Sequence, residues 1–421
     1  MSGITLSGSP RRRLRRRYRP TRFTEEETMA DNDVVILSGA RSAIGKFQGS
    51  LSQTAPIDLG AEIARSAIER AGISPATVDA TVVANVLPTR PRDLYLSRAL
   101  ALDAGIPEQA TALQVNRLCG SGLQALVSAA QQIKSGDSKV ALAGGVEVMS
   151  QAPYSVKDAR KGLRMGEGVV YDWLTGSLTC PMGSGHMGIT AENIAERYGI
   201  SRQRQDEFAA ESYARAIAAR DEGRFDEQIH PVSVRRKREN VDFDTDEGLR
   251  ETTVETLSGL KPAFQEGGTV TAGNGAGIND AAALLVLASE AAAREAGATP
   301  LARIVSWGIG GVDPAYMGLG PVAAVPKALE KAGLKLSDID LIESNEAFSA
   351  QALAVQDQLG FDPEKTNIDG GAVALGHPIG ATGAILTVKL LSQLRRTGKS
   401  LGLVTLCIGG GQGIAAVVEA L

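Results

Sequence analysis

Cysteine is almost missing from this chain, which holds three in 421 residues: Cys119, Cys180 and Cys407. Three thiols cannot build a disulfide framework, and none stands in a C-x-x-C pair or near a histidine at metal-ligand spacing, so no structural metal is expected. A reducing compartment follows, and we expect a cytoplasmic location. No run of about 18 apolar residues occurs, so no membrane span is expected and the chain reads as soluble. Positive charge is lacking where a nucleic-acid groove would need it. The formal net charge is -4, and the first 28 residues carry eight arginines against three glutamates, which is +5 and leaves -9 for the rest. An acidic body excludes nucleic acid as the expected partner.

Nucleotide loops are absent too. "GARSAIGKF" lacks the spacing and the hydroxyl of a P-loop, and "TGKS" at 397–400 lacks the leading glycine. Neither "AGNGAGIND" nor "GGGQG" supplies G-x-G-x-x-G between a strand and a helix. Nucleotide hydrolysis and dinucleotide redox are set aside.

What is present is alternation and repetition. Short β-rich runs ("VVILSG", "ATVVANVL", "KVALAGG") alternate with helical ones ("LGAEIARSAIERAGI", "GLQALVSAAQQIKSG"), which is the pattern of a layered α/β protein. Residues 63–88 and 325–348 share one plan: helix, Ala-Gly, seven residues from Gly to Asp, a strand, then Asn. Each is followed by a Gly-rich turn, a helix ending at Gly136 or Gly398, and a strand. The chain thus reads as two copies of one unit, covering 31–147 with about 279–298, and 299–421. Between them 148–278 reads as an inserted loop domain with one clear amphipathic helix ("SRQRQDEFAAESYARAIAARDEG") and few strands. Residues 1–30 read as a disordered Arg-rich extension. It is an organelle presequence, a nucleic-acid tail or translated upstream sequence before Met29; "EEE" argues against the first, and an appendage without function is the favoured reading.

Cys119 precedes a segment with Leu123, Leu126, Val127, Ala130 and Ile133 at helical spacing, so it stands at a helix mouth where unpaired N–H groups favour a thiolate. Taken alone, a buried core cysteine is the plainer reading. A thiol nucleophile needs a base. His377, in the glycine-crowded "GGAVALGHPIGATG", holds nearly the place in the second copy that Cys119 holds in the first. His230 reads as an edge-strand or surface residue, and His186 lies in the insertion between glycines. Cys407 precedes "IGGGQG", whose exposed N–H groups could hold an oxyanion; a strand-end cysteine before a glycine hairpin is the plainer reading. Asn345 and Glu346 follow the strand "IDLIE" as a polar pair that fits a site or a helix cap.

NRLCGSG, GHMGITAEN, NEAF, GHPIGATG and CIGGGQG stand in this order, and with them the chain from about residue 31 resembles the thiolase family, its short-chain biosynthetic branch most closely. The resemblance implies a thiolase fold of α/β class, with duplicated βαβαβαββ halves in a layered α-β-α-β-α arrangement. The pantetheine of coenzyme A would reach the cysteines beneath the inserted loop domain. Roles implied by the matching residues are Cys119 as acylated nucleophile, His377 as its base and Cys407 as the group moving the α-proton. Asn345 would hold a water that stabilises the enolate oxygen with His377, and the N–H groups of Cys119 and Gly409 would form a second oxyanion hole. Contacts to acyl-CoA fall on His186, Met187, Phe264, Ala347 and Phe348, with Arg250 near the family's phosphate-contacting arginine. One stretch departs from the family: GNASG reads Gly273-Asn274-Gly275-Ala276-Gly277, so Ala276 lacks the serine hydroxyl that contacts CoA, a loss of about 1 kcal/mol unless a backbone contact replaces it.

The implied activity is ping-pong condensation of two acetyl-CoA to acetoacetyl-CoA and CoA, reversible by thiolysis. The implied partners are acetyl-CoA, acetoacetyl-CoA and CoA as substrates, with no separate cofactor, in a homotetramer joined through "DARKGLRMGEGVVYDWLTG". Rival expectations are a longer-chain 3-ketoacyl-CoA thiolase and a non-catalytic acyl-CoA-binding protein. Cys180 matches no motif and reads as a loop cysteine.

Overall fold

The computed structural model describes residues 30–421 apart from Lys237; the expected extension lies outside them except for Ala30. Nine strands form one path: β1 (Val34–Arg41), β2 (Ala80–Ala84), β3 (Thr111–Val115), β4 (Val140–Val148), β5 (Asn279–Ser289), β6 (Ala302–Gly311), β7 (Leu341–Ser344), β8 (Leu401–Ile408) and β9 (Gln412–Ala420). Their order is β7-β8-β9-β6-β1-β5-β4-β2-β3, and the two-residue strand Gly45–Lys46 pairs with β5. Apolar side chains run unbroken through the middle strands; Asn279–Ala288 of β5 is buried at every residue, as a strand covered on both faces requires.

The path joins a five-stranded and a four-stranded unit at a narrow seam, where β1 meets β6 through only Val35↔Arg303 and Ile36↔Ala302. In the first unit β3, β2 and β4 run parallel and β5 and β1 antiparallel. The second unit repeats this with β7 and β8 parallel, then β9 and β6 antiparallel. Its counterpart of β3 is reduced to one bridge, Ile342↔Thr366. There Asn367, at a φ of 48°, turns the chain away. Its side chain accepts the Ser344 N–H (2.9 Å) and donates to the Ser344 carbonyl (2.9 Å), taking the place of a strand. β3 itself stays an open edge, with Thr111–Leu113 exposed.

Six helices position the rest: α1 (Pro56–Arg70), α2 (Ser121–Ser135), α3 (Met187–Tyr198), α4 (Arg202–Asp221), α5 (Gly320–Ala332) and α6 (Thr382–Thr397). α1 covers β1 and β5, α5 covers β6 and β9, and between the half-sheets α2 crosses α6, giving the five-layer α-β-α-β-α arrangement. The crossing is close because both helices carry glycine there. A Cβ on Gly383 would fall 2.2 Å from the Leu123 amide nitrogen, and one on Gly122 would fall 2.8 Å from that of Ala384. α2 and α6 end at Gly136 and Gly398 in the left-handed region, which glycine enters without steric cost. The centre of α6 is buried all round, so its one lysine there must be paired: Lys389 Nζ donates to Glu343 (3.0 Å) and to the Gly370 carbonyl (2.7 Å).

The segment between β4 and β5 is richer in regular structure than its sequence shows. α4 forms as expected, with Ser201 capping it, but α3 precedes it, and three two-stranded pairs lie around them. α3 was hidden by its polar residues, although Met187, Thr190, Ala191, Ile194 and Ala195 fall on one buried face. One strand pair, Tyr154–Val156 with Val170–Asp172, carries an arm with Leu163 and Met165 exposed. No helix among the described residues is long and apolar enough to cross a membrane.

Candidate active site

Cys119 sits between the end of β3 and the start of α2, on a turn held by Ser121, whose hydroxyl accepts the Arg117 N–H (2.7 Å), and by Asn116, whose side chain accepts that of Leu118 (3.0 Å). Leu118 adopts a φ of 46°. A branched residue there is strained, and the strain thrusts the next residue out of the helix line. Small neighbours let the second half come close: a Cβ on Gly120 would fall 2.4 Å from Ile408 Cδ1, at the end of β8. Cys407, fully buried, lies one residue before on that strand and near enough to Cys119 for the Cys119 thiol to oppose its ionisation.

The N–H groups of Gly409 and of Cys119 itself are directed at the Cys119 sulfur. Enclosure nevertheless dominates. Burial pushes the Cys119 thiol up to about 11, the two N–H groups oppose this, and the Glu147 carboxylate adds to it. The Cys407 thiol rises further, again chiefly by burial.

His377 lies in the turn before α6. Its backbone N–H donates to Asn279 Oδ1 (3.0 Å), and Gly376, at a φ of 109°, leaves room for that side chain. Its Nδ1 is 2.7 Å from the Thr382 hydroxyl, which itself donates to the Pro378 carbonyl at 2.9 Å. Since that hydroxyl proton is used, Nδ1 carries the proton donated to Thr382, and Nε2 is left as the free base. Nε2 faces Asn345 Nδ2 at 3.5 Å, while Asn345 Oδ1 is buried without a partner. Burial lowers His377 to about 4. A histidine this acidic cannot hold the proton of a thiol near 11, and no hydrogen bond joins the two among the described residues. Burial thus weighs against the resting thiolate expected from the helix mouth and favours a neutral thiol and a neutral imidazole in the free protein.

The other expected residues gather on one wall. Met187, Ala347, Phe348 and Cys407 belong to one apolar cluster with Phe264 against it. The Phe264 ring stacks on His186 (4.9 Å between centroids) and meets Phe348 edge-on (5.9 Å). His186 caps α3, its Nδ1 accepting the Gly188 N–H at 3.1 Å, and burial lowers its pKa. Gly409 lies close to the Met187 sulfur and to Leu118, within 3.2–3.3 Å of an added Cβ. Ala276 donates its N–H to the Ala347 carbonyl (3.0 Å), so that N–H is not free to replace the missing hydroxyl. Gly277 lies beside Asn279. Arg250 is exposed, its guanidinium 5.5 Å from the Tyr213 ring.

Cys180 is no loop cysteine: it is buried in the Cys407 cluster, on a two-residue strand paired with Gly185–His186. His230 lies on the flank of β1, 3.6 Å from Glu62. Sequence reasoning passed over Thr382, Asn279 and Glu147, which hold the site rather than line it; the spacing His-x4-Thr across a turn was the one signal available. No cluster of metal-ligating side chains occurs among the described residues.

Two family models match the chain: the thiolase N-terminal domain over residues 34–291 and the thiolase C-terminal domain over 298–420. The chain is 54% identical to the beta-ketothiolase BktB of Cupriavidus necator and 52% identical to an acetyl-CoA acetyltransferase of Escherichia coli, each over 92% of this chain and 99% of the relative. Among solved structures it superposes with a TM-score of 0.90 on the Bacillus anthracis acetyl-CoA acetyltransferase (46% identity, 92% of this chain, 99% of that one). It does so equally on human mitochondrial 3-ketoacyl-CoA thiolase (TM-score 0.90, 42% identity, 93% and 100%).

Proposed function

Because the chain belongs to the thiolase family, we propose that it is an acetyl-CoA C-acetyltransferase, condensing two acetyl-CoA to acetoacetyl-CoA and CoA. It is an acyltransferase, and coenzyme A thioesters are its substrates. The observation that carries the reading is the His377–Thr382 pair: it leaves Nε2 as a free base in a water-poor pocket, beside an Asn345 carbonyl without a partner.

In this reading Nε2 takes the Cys119 proton as the sulfur attacks the acetyl carbonyl, so charge forms only in the transition state. The Gly409 and Cys119 N–H groups take up the oxyanion, and CoA leaves with the proton of Cys407, so that Cys407 becomes a thiolate while His377 stays protonated. Cys407 then removes an α-proton from the second acetyl-CoA. Protonated His377 and a water held by Asn345 hold the enolate oxygen, the carbanion attacks acetyl-Cys119, and the Cys119 sulfur leaves with the His377 proton as acetoacetyl-CoA is released. The ladder of His186, Phe264 and Phe348 guides the pantetheine, with Met187, Ala347, Ala276 and Gly277 beside it and Arg250 toward the phosphates. Cytoplasmic location is part of the proposal.

The assembly proposed is a homotetramer, formed by pairing of β3 edges into a dimer and by contact of the arms between dimers. Its support is the open edge with exposed Leu94, Tyr95 and Leu113, and the exposed Tyr154, Leu163, Met165 and Tyr171 of the arm. A longer acyl range is the second reading, favoured by the identity to a beta-ketothiolase; turnover against acyl length separates the two.

Intact mass after mixing with acetyl-CoA, followed by peptide mapping, tests the chemistry. An acetyl group on Cys119 that free CoA removes is expected. Cys407→Ala should keep that acylation and lose condensation; loss of both steps together would contradict the assignment.

A further inference from the structure

Glu147, near the end of β4, is fully buried, and no cation pairs with it among the described residues. Four donors surround its carboxylate. Oε2 accepts the N–H groups of Val86 (3.0 Å) and Gly380 (2.9 Å), and Oε1 accepts those of Leu87 (3.1 Å) and the Asn85 amide (3.2 Å). Asn85, Val86 and Leu87 belong to the first half, and Gly380 stands three residues after His377 in the second. The carboxylate thus ties the 85–87 loop to the His377 turn. Gly380 permits this, since a Cβ there would fall 2.4 Å from Oε2. Val86, Leu87 and Ile379, on either side of this tie, pack with Leu118 and Cys119.

We propose that Glu147 is a positioning residue for acyl transfer: its carboxylate fixes the His377 turn to the 85–87 loop that packs on Cys119, and once ionised it opposes a negative charge on the Cys119 sulfur. The proposal rests on Cys119 being the nucleophile. The titratable groups facing Glu147 are Cys119 beyond Val86 and Leu87, His377 on the Gly380 turn with its ring turned to Thr382 and Asn345, and Asp280 on β5. Asp280 lies next to Ala281, the residue paired with Glu147, and has Glu247 facing it. Burial raises Glu147 to about 8, against the pull of its three backbone donors, and raises Asp280 only to about 6. Asp280 is accordingly ionised throughout the range where Glu147 titrates, and a change near 8 belongs to Glu147.

The test is the rate of iodoacetamide alkylation of Cys119, located by peptide mapping, from about pH 7 to 9.5, together with kcat for condensation. In the wild-type protein the plot of log rate against pH should flatten around pH 8 as Glu147 ionises. E147Q should lose that bend and alkylate about tenfold faster at pH 9, the charge having gone. Its kcat should fall, since an amide must turn a donor toward one of the four N–H groups. G380A, which keeps the charge and displaces the carboxylate, should keep the bend while losing kcat. A merely structural residue would lower kcat without touching the bend. A straight wild-type plot overturns the proposal even if E147Q fails to fold, and so does E147Q with wild-type kcat. The nucleophile reading fails separately, if acetyl-CoA leaves Cys119 unlabelled in the wild-type protein.

Discussion

Thr382 decides which nitrogen of His377 is the base. Replacing it by valine removes the acceptor for Nδ1–H while keeping the shape, so both tautomers become populated and Nε2 is no longer reserved as a lone pair. T382V is expected to lower the rate of Cys119 acylation by about 10²-fold, with little change in KM, as read by quenched-flow mass analysis. The acid limb of kcat/KM tests the same residue. With His377 lowered to about 4 by burial, the base form persists as pH falls through the usual histidine range, and kcat/KM should decline only toward pH 4. A limb centred near 6.5 would show that the ring is wetter than this packing implies. The residue types at the site were legible because cysteine and histidine are rare and stand among glycines. Their protonation was not, because a helix mouth promises a thiolate whereas burial among Val86, Leu87 and Ile379 works against one, and sequence carries no measure of enclosure.

The elements that bring these residues together are α2 and α6, which meet backbone to backbone at Gly122 and Gly383. Alanine at 383 would set its Cβ against the Leu123 backbone, which cannot move without shifting the helix. G383A is expected to destabilise the fold by about 1–3 kcal/mol and to lower kcat as well, because the Cys119 and His377 turns open directly into these helices. Denaturant unfolding and turnover on one preparation check both. A stable, fully active G383A would mean the crossing is looser than described. Apolar periodicity made α2 and α6 readable, and the shared Ala-Gly after α1 and α5 made the duplication readable. The missing strand of the second half was not, since its work passes to the side chain of Asn367. The short strand pairs of the insertion were not either, since three residues such as Tyr154–Val156 are too few to display alternation.

At the scale of the whole molecule, the halves are unequal at their edges. Asn367 closes the second half, and β3 leaves the first open, so self-association through the sheet has one direction available. Charging the arm at L163D with M165D should convert the proposed tetramer to dimers in sedimentation, because it removes apolar contact from the arm and leaves β3 alone. Persistence of the tetramer would move the second interface elsewhere. The open edge also has a liability. Thr111–Val115 contains no proline, no lysine and no charge, the devices that keep a bare edge from templating other chains. A protomer of the proposed dimer, freed by dilution, would therefore be an aggregation seed, and activity lost at low concentration should not return when the protein is concentrated again.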